Sequence, residues 1–445
     1  MNEVTAADYR ACVEYAVELL LGEQGVDLLR RGVVRYGRGE AGDARPAKLC
    51  ILPGGLFGPS YGRAESLPSL PLQQVEGVPL LYGEPVVRHD EGTMVVHADV
   101  VASAFFLASR YEEVVRRDVR DEQGRFPGRR SLAGRAGFID RPIVDEYAAL
   151  LRKWLQAAGV PVAEPDREFS VLLSHDVDTP RKYWRRTQPL WDLLRIGLGM
   201  EHPRTLRESL LVPLGRARDP FDNFEEILAL DRGVRDRLGP ERCRQAYFFL
   251  AGGRGANESF YDVRAPFVAE LIGQVSQAGA IVGLHASRNL DCTGEALAAQ
   301  KALLEEVCGF PIRHNRCHYL AWREVEDGWA LARAGLEWDS TLGYADVAGF
   351  RLGVCRPIPL FDPIGLRPFG IEEHPLTIME CTLQHKAYMG LGEQEAFDCC
   401  AGLIRQARKH KGEIVLLWHN HELVSRPGNY HPRLYRRLLD ALGSF

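Results

Sequence analysis

The stretch VLLSHDVDTP, Val171 to Pro180, runs from an apolar, strand-like segment straight into a histidine and two aspartates. Burying a hydrophobic run to deliver three ionisable groups to one spot makes physical sense only if those groups form a solvated turn or a site. The stretch also opens a series in which apolar runs alternate with helical patterns. FSVLLS is followed by a helix from about Asn223, QAYFFL by one over Ala265 to Gln277, and AIVGL by one over Gly294 to Val307. A short strand near Arg313, a helix over Val325 to Ala334, the strands LEW and TIME, a helix over Gln394 to His410, the strand EIVLLW and a closing helix from Pro432 complete the series. Repeated βα units predict a parallel sheet. About seven strands over roughly 280 residues predict an α/β fold of the (β/α) barrel kind, complete or distorted, with an open doubly wound sheet as the alternative.

Before this series the pattern changes. Strand candidates at Lys48 to Leu52, Pro79 to Tyr82 and Met94 to Val96 are mixed with a helix over Val100 to Arg117 and another that opens at Pro142 and stops at Gly159. GVPVAEPDRE, with two prolines and three acids, reads as a linker. The expected organisation is a smaller α/β domain over residues 1–166 and a distorted barrel over residues 167–445.

Composition narrows the function classes. Hydrophobic residues make up 46% and charged residues 26%, the profile of a globular chain with ample core material. A net charge of -5 and a pI near 6.3 give no global pull toward nucleic acid or anionic membrane, and nucleic acid is not an expected partner. No apolar run approaches the roughly 20 residues of a membrane span. The first residues, MNEVTAADYRACVEYAVELLLGEQG, lack the basic and uninterrupted apolar regions of a secretory signal, which predicts a cytoplasmic protein. Ten cysteines without a CxxC pair predict neither a disulfide framework nor a four-cysteine zinc site. Oligomeric state is not legible. LPGGLFG and FFLAGGRGAN are glycine-rich but lack phosphate-loop spacing and read as tight turns, and Arg351 in GFRLG reads as an anion holder or an exposed salt bridge.

Catalytic groups of a parallel barrel collect at the carboxyl ends of its strands. By that rule Asp176 and Asp178 follow FSVLLS, His285 follows AIVGL, Arg316 and His318 follow the strand near Arg313, Asp339 follows LEW, and His419 follows EIVLLW. Taken singly, each has a bland reading as a turn residue, a helix cap or a buried histidine. Together they supply carboxylates, imidazoles and an arginine on one face, the set that metal-assisted hydrolysis uses.

These residues also carry a resemblance. LLSHDVDTP, GLHASRN, RCHYL, LEWDSTLGY and IVLLWHN occur in the order of the five motifs of the polysaccharide deacetylase (NodB-homology) superfamily, over roughly residues 170 to 425. The first motif resembles the subgroup that reads DVD. SAFFLASRYEE and GFIDRPIVDEY resemble the uncharacterised α/β domain that often precedes such a module. The resemblance implies a divalent metal, with zinc the expected ion, and an acetylated sugar or glycan precursor as substrate. It implies Asp176 as catalytic base, Asp178 and His285 as metal ligands, Arg316 as orienter of the base, Tyr319 at the oxyanion, His419 as general acid and Asp339 as the partner of His419. Hydrolysis of another C–N bond, as in a cyclic amide, and a catalytically inactive carbohydrate-binding protein are the alternatives.

The motifs depart from the family at specific places. Asn289 stands where the second metal histidine is expected, Ser287 is displaced by one position, His318 replaces a proline, and Asn420 replaces an aspartate. Zinc at a catalytic site usually takes three protein ligands, and a neutral amide oxygen is a weak donor. His318, two residues beyond Arg316, is therefore expected to provide the missing imidazole, with Asn289 the alternative ligand.

Overall fold

The computed structural model describes residues 6–37, 47–90, 92–184, 187–198, 205–252, 261–288 and 294–443. A four-stranded sheet comes first, built from β1 (Val34–Tyr36), β2 (Leu49–Ile51), β5 (Gly83–Asp90) and β6 (Thr93–Ala98) in the order β1-β2-β6-β5, beside the small hairpin of β3 (Gln73–Val75) and β4 (Val78–Leu80). Helices Ala6–Leu21, Val100–Ala108 and Ile143–Ala157 pack against one another alongside it.

The helix expected over Val100 to Arg117 is in fact two, Val100–Ala108 and Tyr111–Val115. Arg110 breaks it by taking a left-handed backbone, φ 57°, and its guanidinium is buried against Glu324. A local helical pattern gives way here to a distant ion pair.

The second sheet has nine strands: β7 (Ser170–Val177), β8 (Cys243–Leu250), β9 (Ile281–Ala286), β10 (His314–Cys317), β11 (Trp338–Asp339), β12 (Ile358–Asp362), β13 (Arg367–Glu373), β14 (Ile378–Met379) and β15 (Glu413–Leu417). Their order is β12-β13-β11-β10-β9-β8-β7-β15-β14, and every neighbouring pair is parallel except β12 with β13. β12 and β14 lie at opposite ends of that order, so the sheet is a curled, incomplete barrel. This is the distorted (β/α) barrel that the alternation predicts. The β12–β13 hairpin has no counterpart in the sequence reading.

Side-chain parity explains what the sheet presents. In β7 and β15, Val171, Leu173, Ile414 and Leu416 join the cluster of helices Glu393–Lys409 and His431–Ala441, whereas Leu172, Val415 and Leu417 face inward with Phe248 and Trp338. Alternation then puts Ser174, Asp176 and Asp178 on the inward side with Leu172. Val177 and His175 fall on the helical side, where His175 meets the Asp231 carboxylate at 2.9 Å and the Trp418 carbonyl at 2.7 Å. The site residues and the packing residues of SHDVD are sorted by position alone.

The main hydrophobic cluster joins the two sheets, running from Tyr15, Phe105 and Leu107 to Leu360 and Phe361 of β12. Tyr15 stacks on Phe361 with ring centroids 4.6 Å apart, and its hydroxyl donates to the Pro359 carbonyl at 2.9 Å. Arg351, read from sequence as an anion holder or an exposed salt bridge, is instead buried in a bidentate pair with Glu113, at 2.9 and 2.6 Å. Of the glycine-rich segments, the first brings two backbones close together, since a Cβ on Gly54 would meet Gly83 N at 2.5 Å, and Gly55 beside it takes a φ of 100°; the second lies outside the described residues from Gly253 on. No helix among the described residues is long and apolar enough to cross a membrane.

Candidate active site

Five strands deliver ionisable groups to one face of the curled sheet. Asp176, His285 and Arg316 are the last or next-to-last residues of β7, β9 and β10. Asp178, His318, Glu380 and His419 follow within two residues of the ends of β7, β10, β14 and β15. A cavity of about 230 Å³ is lined by Asp176, Asp178, His285, His318, Tyr319 and His419 among others.

Arg316 is wholly buried, and its donors are committed. Nε donates to the Ser340 carbonyl and one terminal nitrogen to Ser340 Oγ, both at 2.8 Å, while the other reaches Ser174 Oγ at 2.8 Å and Asp176 Oδ1 at 3.1 Å. The guanidinium lies over the Phe248 ring, 4.7 Å from its centroid. Gly283 of β9 makes this possible, since a Cβ there would meet Phe248 Cδ1 at 2.5 Å. The result is a carboxylate held by a charged, planar donor that cannot turn away.

Opposite Asp176 lies the candidate metal centre. His285 Nδ1 faces the Arg316 carbonyl at 2.8 Å, which makes Nδ1 the donor and leaves Nε2 as the free lone pair. That Nε2 stands 3.2 Å from Asp178 Oδ1 and 3.6 Å from Asp176 Oδ2, and His318 Nε2 stands 3.6 Å from Asp178 Oδ2. Asp178, His285 and His318 each place one ligand atom within 4.8 Å of the other two. His285 Nε2 and Asp178 Oδ1 are buried without a hydrogen-bond partner. Buried polar atoms are rarely left so, and two of them facing each other with a third donor alongside fit a divalent cation. Burial would raise the Asp178 carboxyl, but His285 and His318 outweigh it and hold it well below the usual range. Burial would likewise lower the His285 imidazole, and Asp176 and Asp178 hold it above its ordinary value. Asn289 lies outside the described residues.

His419 is not paired with Asp339. Its Nδ1 stands 2.5 Å from Glu380 Oε1, and its Nε2 points to the centre, 3.6 Å from Asp178 Oδ2. Asp339 is turned away into a separate buried network, accepting from Asn315 at 2.7 Å and from the Thr341 backbone and hydroxyl at 3.0 and 2.9 Å. The difference is one of strand position: β11 is five places from β15 in the sheet order, whereas β14, which Glu380 directly follows, is its direct neighbour. Burial would lower His419, yet the Glu380 charge holds it well above the usual histidine value; Glu380, which burial would raise, is drawn by His419 down to about 2. The pair is a histidine held by a buried carboxylate, which favours the charged form of the ring. Asn420 serves the loop, donating to the Thr179 and Phe221 carbonyls.

Tyr319 and Leu320 both have left-handed backbones, with φ 62° and 54°, at the turn that brings His318 and Tyr319 to the cavity wall. Such strain at non-glycine residues concentrates at functional sites. The wall is completed from outside the barrel series by Arg125, which donates to Asp121 at 2.8 Å, to the Tyr319 carbonyl at 3.2 Å and to the Tyr388 hydroxyl at 3.0 Å. Nothing in the sequence rule for strand ends points to Arg125, which lies in a loop.

A family model described as a family of unknown function (DUF7033) matches residues 40–159. No curated protein matches the chain. Similar solved structures include one assigned as a polysaccharide deacetylase from Mycobacterium smegmatis, 18% identical, with a TM-score of 0.38 over 64% of this chain and 87% of that one. Others are a mutant of a CE4 family pseudoenzyme with restored enzymatic activity, 10% identical with a TM-score of 0.30 over 63% of this chain and 64% of that one, and the chitin deacetylase from Colletotrichum lindemuthianum, 12% identical with a TM-score of 0.24 over 58% and 89%.

Proposed function

We propose that the chain is a metal-dependent hydrolase that removes an acetyl group from an N-acetylated or O-acetylated sugar or glycan precursor. The observation that carries this reading is the facing pair of buried, unpartnered atoms, His285 Nε2 and Asp178 Oδ1, beside an arginine-held Asp176 and a glutamate-held His419. Asp178, His285 and His318 would hold the ion, zinc by the preference of that donor set. Such an ion supplies Lewis acidity, polarising a carbonyl and bringing the pKa of water toward about 7.

The chain's own groups then divide the proton work. Asp176, kept in place by Arg316, accepts the proton of the water that attacks the acetyl carbonyl. The Tyr319 backbone N–H serves the developing oxyanion, a type of contact worth about 3 kcal/mol. His419, whose charged form Glu380 favours, gives its Nε2 proton to the departing nitrogen or oxygen. Arg125 lines the same cavity and is suited to hydroxyl or carboxylate oxygens of the sugar. We place residues 1–166 as an accessory unit that provides this wall, and residues 167–445 as the catalytic unit. Acetate release from a panel of N-acetyl sugar precursors, with and without chelator, tests the reading; release that chelator leaves untouched would overturn it.

Two further outcomes are expected. Titration of zinc into His318→Ala should show far weaker binding than into Asn289→Ala, and the reverse order would make Asn289 the third ligand. In Glu380→Gln the neutral amide no longer stabilises the imidazolium, so the pKa of His419 should fall. A catalytic acid must stay protonated, so activity is lost as pH rises through its pKa. The alkaline limb of the rate profile should therefore move to lower pH in Glu380→Gln; an unmoved limb would take His419 out of the acid role.

A further inference from the structure

Between β7 and the helix Phe224–Leu238 the chain inserts two helices, Gln188–Gly197 and Thr205–Leu211, which pack against each other. Their amphipathicity is turned inside out. On the first, Leu190, Trp191, Leu194 and Leu198 form one stripe by helical spacing. On the second, Leu206 and Leu210 do the same. All six side chains are between 41% and 67% exposed. The inward faces are polar instead. Asp192 is buried, accepting from the Tyr183 hydroxyl at 2.9 Å and paired with Lys182 at 3.0 Å, and Ser209 is buried and donates to the Thr205 carbonyl at 2.8 Å. The base of the insertion is fixed, because both oxygens of Asp219 accept backbone N–H groups, those of Lys182 and Tyr183, at 2.9 Å.

A helix that faces water normally turns its polar side outward, and contiguous exposed apolar patches mark a surface that meets something other than water. Charge indicates what. Residues 181–218 contain nine Lys and Arg against three Asp and Glu, in a chain whose net charge is -5. Two of those three acids, Asp192 and Glu208, are paired with Lys182 at 3.0 and 3.5 Å, and Arg195 and Arg207 are exposed beside the leucines. A two-fold contact between copies of this chain would set the basic segment against itself. Exposed Trp and Leu flanked by arginine on short amphipathic helices suit the headgroup boundary of an anionic bilayer.

We propose that the insertion between residues 181 and 218 docks the protein on anionic lipid surfaces, with Leu190, Trp191, Leu194, Leu198, Leu206 and Leu210 entering the interface and Arg195 and Arg207 meeting the headgroups. The insertion follows the carboxyl end of β7, where Asp176 and Asp178 stand, so docking would hold the barrel by the same side as the cavity.

Flotation of the full chain with phosphatidylcholine vesicles, and with vesicles that also contain phosphatidylglycerol, tests this. Binding is expected to the anionic vesicles only, to weaken with salt, and to shift tryptophan emission to the blue. Trp191→Ser combined with Leu194→Ser should abolish it, and Arg195→Glu combined with Arg207→Glu should weaken it by roughly tenfold or more. Both pairs change exposed positions, so circular dichroism and the thermal transition should match the parent. Failure of the parent to float with anionic vesicles, or undiminished flotation of the Trp191/Leu194 variant, overturns the proposal. So does concentration-dependent self-association without lipid that the same variant abolishes, which would make a second copy the occupant.

Discussion

Asp176→Asn protein should fold normally and keep its metal while turning over between about 100 and 10,000 times more slowly, the range for losing a positioned general base. Asparagine preserves the shape and can still accept from Arg316, whose remaining contacts to Ser174 and Ser340 are untouched. What disappears is the proton acceptor. Asp178→Asn should behave differently, because the carboxylate that faces both His285 Nε2 and His318 Nε2 is replaced by a weak amide donor. Metal content should fall with activity. Metal analysis and single-turnover rates on the two proteins separate the roles; equal loss of metal in both would refute the division of labour within DVD.

Glu324→Ala should cost about 3 to 5 kcal/mol of stability, the usual consequence of stranding one member of a buried ion pair. Glu324 and Arg110 are both fully buried and meet at 3.0 and 3.2 Å, and the neighbouring Arg351–Glu113 pair is nearly as inaccessible. The Arg110 guanidinium would keep the Phe361 carbonyl, at 3.5 Å, as a hydrogen-bond acceptor but no counter-charge in contact with it. Replacing both partners, Arg110→Met with Glu324→Leu, should be far milder, since no lone charge remains. Denaturant titrations of the two singles and the double give the coupling directly. Additive losses would mean that the pair does not act as a unit.

Much of the barrel was legible because its strands bury both faces and its helices repeat at regular intervals, so that periodicity alone separates them. The same regularity carried Asp176, Asp178, His285, Arg316, His318 and His419 to one face. Glu380 satisfies the strand-end rule equally well, as the last residue of TIME, but lies in none of the five motif stretches. Asp339 obeys the rule and still does not reach His419, because lateral order in a sheet is set by tertiary pairing that a single chain does not spell out. The inverted helices of the insertion posed the opposite difficulty: amphipathic spacing reveals two faces but not which one turns inward. Arg125 and the break at Arg110 depend on partners about 200 residues distant, beyond any local pattern.

β12 closes one end of the nine-stranded sheet, and an unpaired strand there would be a template on which other chains could add strands and aggregate. Here that row of backbone groups is blunted twice over. Pro359 offers no N–H for a further strand, and its carbonyl is already taken by the Tyr15 hydroxyl, while the Tyr61 hydroxyl takes the carbonyl of Pro363 just beyond the strand. A barrel produced without residues 1–166 would regain those carbonyls and bare Phe361 besides, and should be recovered mainly as insoluble material. By this reading the barrel would owe its solubility to the segment that precedes it.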